Sequence, residues 1–207
     1  MLPLSRKQRQ ELEEATALYQ TGVGLAVEYL RGRSIDQNST GNARLGFVHE
    51  PYPGHERFKG RLSIPGIGPK GVYSLRFRLL GDGKPKYEGM PGVPSRLYNI
   101  RALHRKGLTV CITEGELDAL ILEQCGLDAV GVCGAHSWKA HHPRMFADFE
   151  EVLVFGDGDD AGQEFVKSVV GSLRNARAVS MPDGMDVNDM YLRDGKAGVL
   201  EMIGAVS

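Results

Sequence analysis

Apolar and polar positions along the chain follow two different rhythms, and the change between them falls near the middle. In the N-terminal part, Leu12, Ala15, Leu18 and Tyr19 recur at helical spacing among charged and amide residues, which places one apolar stripe on a helix. Ser5 followed by Gln8 has the form of a capping box at its start. Gly22 and Gly24 interrupt the pattern, so the helical region from about Ser5 to Arg31 divides in two, the second piece being Leu25–Leu30. The polar, Gly- and Asn-containing stretch Ser34–Ala43 is expected to be a loop. Short β segments follow at Ala43–Val48, Arg61–Pro65 and Val72–Leu80, and Gly81–Lys86 has the composition of a tight turn. Their connections are of hairpin length, so the pairing should be antiparallel. Ser95–Arg105 reads as a short helix leaving this region.

From Leu108 onward short apolar runs alternate with helix-length segments. Leu108–Thr113, Asp128–Val132, Val152–Phe155 and Ala176–Met181 read as strands buried on both faces. Gly115–Gly126, a short segment near His141–Asp148, Asp160–Asn175 and Val187–Asp194 read as helices. Alternation of this kind predicts a parallel sheet with helices on both sides. The boundary is placed near Gly107, giving residues 1–107 as a smaller, mixed α+β basic subdomain and 108–207 as an α/β parallel-sheet domain.

Composition narrows the choice of class. Hydrophobic residues make up 42% and charged residues 25% of the 207, as in ordinary globular proteins. No apolar run approaches bilayer length, and the N-terminus turns charged before a signal-peptide core forms, so no membrane association is expected and the cytoplasm is the expected compartment. The three cysteines, Cys111, Cys125 and Cys133, form no C-x-x-C pair, which argues against a disulfide framework or a zinc finger. A net charge of -1 excludes a globally basic nucleic-acid binder. The signs are nevertheless unevenly placed: Lys and Arg gather between Arg57 and Lys106, acids from Glu114 onward. That asymmetry suits a basic track leading to a carboxylate-lined centre.

The acids are placed where parallel sheets bind ligands. Glu114 directly follows one strand and Asp157 follows another, both at carboxyl ends, where ligands of open α/β sheets sit. Asp118 lies four residues after Glu114, near the first turn of the next helix. Asp159 shares the Gly-bounded turn D-G-D-D-A-G with Asp157. Clustered carboxylates repel one another unless a cation offsets them, and all-oxygen donors suit Mg2+ or Mn2+. Taken alone, the same turn is equally well read as an acidic cap for the helix after it. The spacing excludes an EF-hand, since Ala161 and Ser168 would fall at ligand positions, and no P-loop is present.

T-E-G-E-L-D-A-L followed by V-L-V-F-G-D-G-D-D-A-G resembles the Toprim pair of motifs, a Glu after one strand and D-x-D after another. M-P-D-G-M-D-V-N-D-M-Y-L resembles the P-x-G-x-D element of primase Toprim domains. The resemblance implies Glu114 as acid/base or metal ligand, Asp157 and Asp159 as catalytic, and Glu114, Asp118, Asp157, Asp159 and Asp186 around the metal ions. Asn188 stands where bacterial DnaG-type primases usually carry Asp, a departure shared with phage-type primases that bears on the second metal position. The N-terminal half, with G-R-L-S-I-P, G-V-Y-S-L-R-F-R-L-L and G-K-P-K-Y-E-G, is similar to the basic subdomain that precedes the Toprim domain in that family. By the same resemblance Arg61, Arg76, Lys84 and Lys86 would line a track for template and nucleotide phosphates, a role suited to forked guanidinium and point-charge ammonium groups.

The activity implied is that of a DNA primase catalytic core, making short RNA primers on single-stranded DNA from ribonucleoside triphosphates. A replicative helicase and a separate zinc-binding module are the further partners implied. The alternatives are a Toprim nuclease or DNA-relaxing enzyme using the same acids, or a non-catalytic nucleic-acid-binding accessory protein. The retained acids weigh against the last, because a pure phosphate binder gains nothing from clustered negative charge. Tyr87 and Tyr98 are expected in the core, and His136, His141 and His142 at helix starts or on the surface.

Overall fold

The computed structural model describes residues 4–204. Contacts divide the chain into two compact units, Met1–Ser95 and Arg96–Ser207. The division falls ahead of Gly107. Leu97 and Ala102 join the core of the second unit, and the Tyr98 amide donates to the Gly131 carbonyl at 2.7 Å.

In the first unit, helix α1 (Arg6–Thr21) starts with the expected capping box, Ser5 and Gln8 each bonding the other's backbone. Two of the four apolar positions on its stripe, Ala15 and Tyr19, are fully buried. Gly22 ends α1, a 3-10 turn crosses Val23–Ala26, and α2 (Val27–Gly32) follows. The segment expected to be a loop instead forms a short helix, α3 (Gln37–Asn42), because Asp36 caps it by accepting from the Ser39 amide at 2.6 Å. Ile35, Ala43 and Leu45, all buried on either side, hold that helix against the unit although its own sequence is polar.

An antiparallel sheet follows in the order β1 (Gly46–Phe47), β2 (Arg61–Gly68), β3 (Gly71–Leu79) and β4 (Tyr87–Gly89). The last strand was not expected. It pairs Tyr87 with Arg78 and Gly89 with Arg76 once the turn has reversed the chain. Ala15, Tyr19, Val48, Phe58, Leu75 and Phe77 form the core, with the Phe58 and Phe77 rings stacked at 3.9 Å. Full burial of such a side chain contributes about 1.5–3 kcal/mol.

The second unit has the predicted α/β alternation: β5 (Thr109–Thr113), α4 (Glu116–Gln124), β6 (Ala129–Gly131), β7 (Glu151–Phe155), α5 (Asp160–Val170), β8 (Ala176–Val179) and α6 (Val187–Met202). All pairings are parallel, in the order β6-β5-β7-β8. Two 3-10 turns, Ala135–Ser137 and Pro143–Phe146, replace a regular helix between β6 and β7. His142 sits at the start of the second and is buried, its Nδ1 accepting from the Lys139 amide at 3.1 Å. Helix α6 runs past its predicted end through a break at Gly195, where φ is 66°. The three cysteines are free and buried, and Tyr98 is in the core. Among the described residues no helix is long and apolar enough to cross a membrane.

Candidate metal centre

Strands β5 and β7 lie side by side with Thr113 opposite Phe155, so the chain leaves both strands at the same end and in step. Glu114 is the first residue beyond β5. The turn that carries it is fixed by the Thr113 hydroxyl donating to the Gly115 carbonyl at 2.7 Å. On its other side the Gly134 amide donates to the Glu114 carbonyl at 2.9 Å. Asp118 lies in the first turn of α4 and folds back over Gly115, where a Cβ would stand 2.6 Å from Asp118 Oδ2. Both carboxylates therefore flank one helix N-terminus, the end whose dipole favours negative charge.

Beyond β7 the chain passes Gly156 to Asp157 and turns at once into α5. Asp159 is the N-cap of α5 and accepts from the Gly162 amide at 2.8 Å. Asp186 is the N-cap of α6 and accepts from the Asp189 amide at 2.7 Å, while Asp189 accepts from the Asp186 amide at 3.1 Å. Two backbone hydrogen bonds join these segments: Gly158 N–H to the Met185 carbonyl at 2.8 Å and Gly184 N–H to the Gly158 carbonyl at 2.7 Å. The approach is so close that a Cβ on Gly158 would collide with the Pro182 carbonyl, and one on Gly162 with the Asp157 carbonyl. Glycine at these positions is what lets two distant stretches of sequence present their acids together.

The electrostatics register this crowding. Burial, followed by the charges of Asp186, Asp159 and Asp189, pushes the Asp157 carboxyl up from 3.8 to about 6. Each named carboxylate disfavours ionisation of its neighbour, so the four aspartates share one electrostatic environment. Among the described residues no trio of His, Cys, Asp or Glu is already drawn together at ligand spacing. The donor set is nonetheless all carboxylate oxygen, and the repulsion on Asp157 is of the kind a divalent cation relieves. By chemistry these residues fit Mg2+ or Mn2+.

The predicted basic residues lie in the first unit and are not alike. Arg61 is buried, donating to the Pro85 carbonyl at 3.0 Å and pairing with Glu88 at 3.0 Å, which fixes it to the β4 end of the sheet. Arg76 is half-buried, with its guanidinium carbon 5.4 Å from the Tyr87 ring centre. Lys84 and Lys86 are exposed on the turn before β4.

Three charged residues passed over in the sequence also stand out. Arg78 is buried with its guanidinium 5.5 Å from the Tyr29 ring centre and 4.7 Å from that of Tyr87, whose hydroxyl it bonds. Its spacing two residues after Arg76 on a strand was the available signal, since such positions share a face. Asp189 was legible as the fourth residue of a capping box. Glu116 is 2% exposed, and nothing in its spacing marks it for burial.

Acids at the carboxyl ends of two adjacent parallel strands, joined by a third from the start of a later helix, define a Toprim-type domain. The comparisons agree. A family model described as Toprim-like matches residues 111–191. The Gene 57 protein of Mycobacterium phage D29 is 48% identical over 132 residues, covering 64% of this chain and 87% of that one. The DNA primase of Pseudomonas putida is 30% identical over 158 residues, covering 68% of this chain but only 24% of the relative. The solved RNA polymerase domain of Mycobacterium tuberculosis primase DnaG has the same fold, with a TM-score of 0.81 at 23% identity over 97% of this chain and 84% of that one. The chain belongs to the DnaG-type primase family and carries its Toprim domain. It spans about a quarter of the length of the bacterial primases it matches.

Proposed function

We propose that the chain is a primase catalytic core, joining ribonucleotides into short primers on a single-stranded DNA template. The observation that supports this reading is the backbone pairing of Gly158 with Gly184 and Met185, which joins the segment bearing Asp157 and Asp159 to the one bearing Asp186, the charges of Asp159 and Asp186 acting on Asp157. A nuclease or relaxing enzyme would use the same acids, but family membership and the basic β2–β3 hairpin favour polymerisation.

In this mechanism Glu114, Asp118, Asp157, Asp159 and Asp186 hold divalent cations, Mg2+ or Mn2+. Such ions, when bound, offset the charge of the triphosphate and of the attacking oxygen. The 3′-hydroxyl oxygen of the growing primer forms the new bond to the α-phosphorus, the bond to pyrophosphate breaks, and the hydroxyl proton passes to the Glu114 carboxylate. Asp159 and Asp186 are each oriented toward this role by a helix cap, accepting from the Gly162 and Asp189 amides. Arg76, Lys84 and Lys86 contact template and nucleotide phosphates, while Arg61 holds β4 in place through Glu88. A zinc-binding module and a replicative helicase are the further partners of this reading.

Incubating the protein with single-stranded template, labelled ribonucleotides and Mg2+ or Mn2+ tests the proposal. Short RNA is expected from the wild type, with or without an added zinc-binding module, and none from Asp157→Ala. Nicking of plasmid that Asp157→Ala abolishes, with no RNA from any template, would establish the nuclease instead.

A further inference from the structure

The first unit contains a cavity of about 390 Å³ between the start of α1, the loop before the Glu56 turn and the β3–β4 side of the sheet. Leu12, Met90 and Val93 give it an apolar wall, and Tyr52 and Tyr73 line it with two phenol rings. Of its lining residues Glu11 is the one with a charge. His55 also lines it, and burial lowers its pKa from the ordinary imidazole value. The Tyr19 hydroxyl accepts from the Tyr52 amide at 3.1 Å and is hydrogen-bonded to His55 Nδ1 at 2.6 Å. A second carboxylate, Glu14, accepts from the Tyr52 hydroxyl at 2.8 Å. Among the described residues no arginine or lysine lines the cavity.

We propose that this cavity binds a small organic cation, an aliphatic amine with a stem of a few methylenes. The stem lies along Leu12, Met90 and Val93, and the ammonium group is held by Glu11 beside the tyrosine rings, an arrangement that joins an ion pair to cation–π attraction. Triphosphates and nucleic acid are poor candidates, because the charge they would meet has their own sign. Lys7 is the present competitor for Glu11. Its ammonium stands 3.8 Å from the carboxylate with the side chain 86% exposed, a weak pairing that an amine in the cavity displaces. The site is separate from the acids of the second unit and does not depend on what they do.

The test uses the whole chain with 13C-labelled methionine methyl groups, titrated with 1,4-diaminobutane and, as the uncharged analogue, 1,4-butanediol. The diamine is expected to shift the Met90 methyl resonance saturably while the diol leaves it in place. Glu11→Gln should weaken the diamine about tenfold, the loss of one partly screened ion pair, and Lys7→Ala should tighten it by about two- to fourfold. Both side chains face solvent, and unchanged thermal melts confirm that the variants fold. Equal binding of the diol overturns the proposal, as does an unchanged midpoint in Glu11→Gln. Binding that leaves Met90 still and disappears in Asp157→Asn overturns it as well, because the amine is then held by the acids of the second unit.

Discussion

Replacing Asp157 by Asn should make the metal-free protein more stable at neutral pH while removing its response to metal. In the fold the carboxyl titrates at about 6 rather than 3.8, through burial and three neighbouring aspartates. Between those two values the folded chain holds a proton that the unfolded chain has released. Stability is therefore full below 3.8, is lost as pH rises toward 6, and stays lost above it. The interval corresponds to about 3 kcal/mol at pH 7, an upper bound because the side chain is only partly enclosed. Asparagine keeps the shape and never ionises, so it escapes this cost. Urea unfolding of wild type and variant in EDTA should give a gain of about 1–3 kcal/mol at pH 7.5 and close to none at pH 4. Millimolar Mg2+ or Mn2+ should then raise the wild-type midpoint and leave that of Asp157→Asn unmoved. An equal gain at both pH values would refute the electrostatic reasoning, since hydrogen bonding or packing by the amide does not follow the ionisation of the acid it replaced.

Three further outcomes follow from other parts of the second unit. Arg105→Ala removes the guanidinium that joins Glu123 at 2.7 Å and Asp128 at 2.5 Å; the arginine is 43% exposed but both acids are mostly covered, so a loss of about 1–2 kcal/mol is expected by urea unfolding, smaller in high salt. His142, held down to about 4 by burial and then by His141 and Lys139, contributes stability that is complete above 6.5 and lost as pH falls toward 4. His142→Gln should flatten that part of the pH–stability curve, worth up to about 3 kcal/mol, as read by melts in matched buffers. Gly158→Ala drives a methyl into the Pro182 carbonyl and should separate the two acid-bearing segments, abolishing metal-induced stabilisation while far-UV circular dichroism stays that of the wild type.

The elements that were legible in the sequence are those whose pattern is set locally. The capping box at Ser5 and the alternation of buried runs with helical segments after Leu108 are of this kind. So is the placement of Glu114 and Asp157, because a residue directly after a parallel strand has only one end of the sheet to occupy. What the sequence hid depends on partners far along the chain. Residues Gln37–Asn42 carry no apolar stripe and are helical because Asp36 caps the first turn and buried neighbours pin both ends. Strand β4 exists because β3 offers an edge, and three residues of Tyr, Glu and Gly carry no strand signal of their own. Arg61 reads as one more cation in a basic stretch, yet Glu88 and the Pro85 carbonyl turn it into part of the sheet. Composition along a chain reports how many charges there are; whether one is free for a ligand depends on what the fold sets opposite it.

The two readings open for the D-G-D turn, a helix cap and a metal site, turn out not to exclude each other. Asp159 and Asp186 each occupy an N-cap, where one carboxylate oxygen satisfies amides that the first helical turn leaves without partners. A carboxylate has a second oxygen and several lone pairs left after that bond. The caps orient both side chains, and the adjacent helix N-termini favour their charge. Asp157 caps nothing. It stands between these fixed charges on the short span from β7 to α5, and it is the one pushed to about 6. The fold thus anchors two acids by ordinary helix capping and sets a third where a proton or a cation relieves its repulsion. Removing a cap should loosen a helix as well as the site, whereas removing Asp157 should weaken the site without loosening either helix.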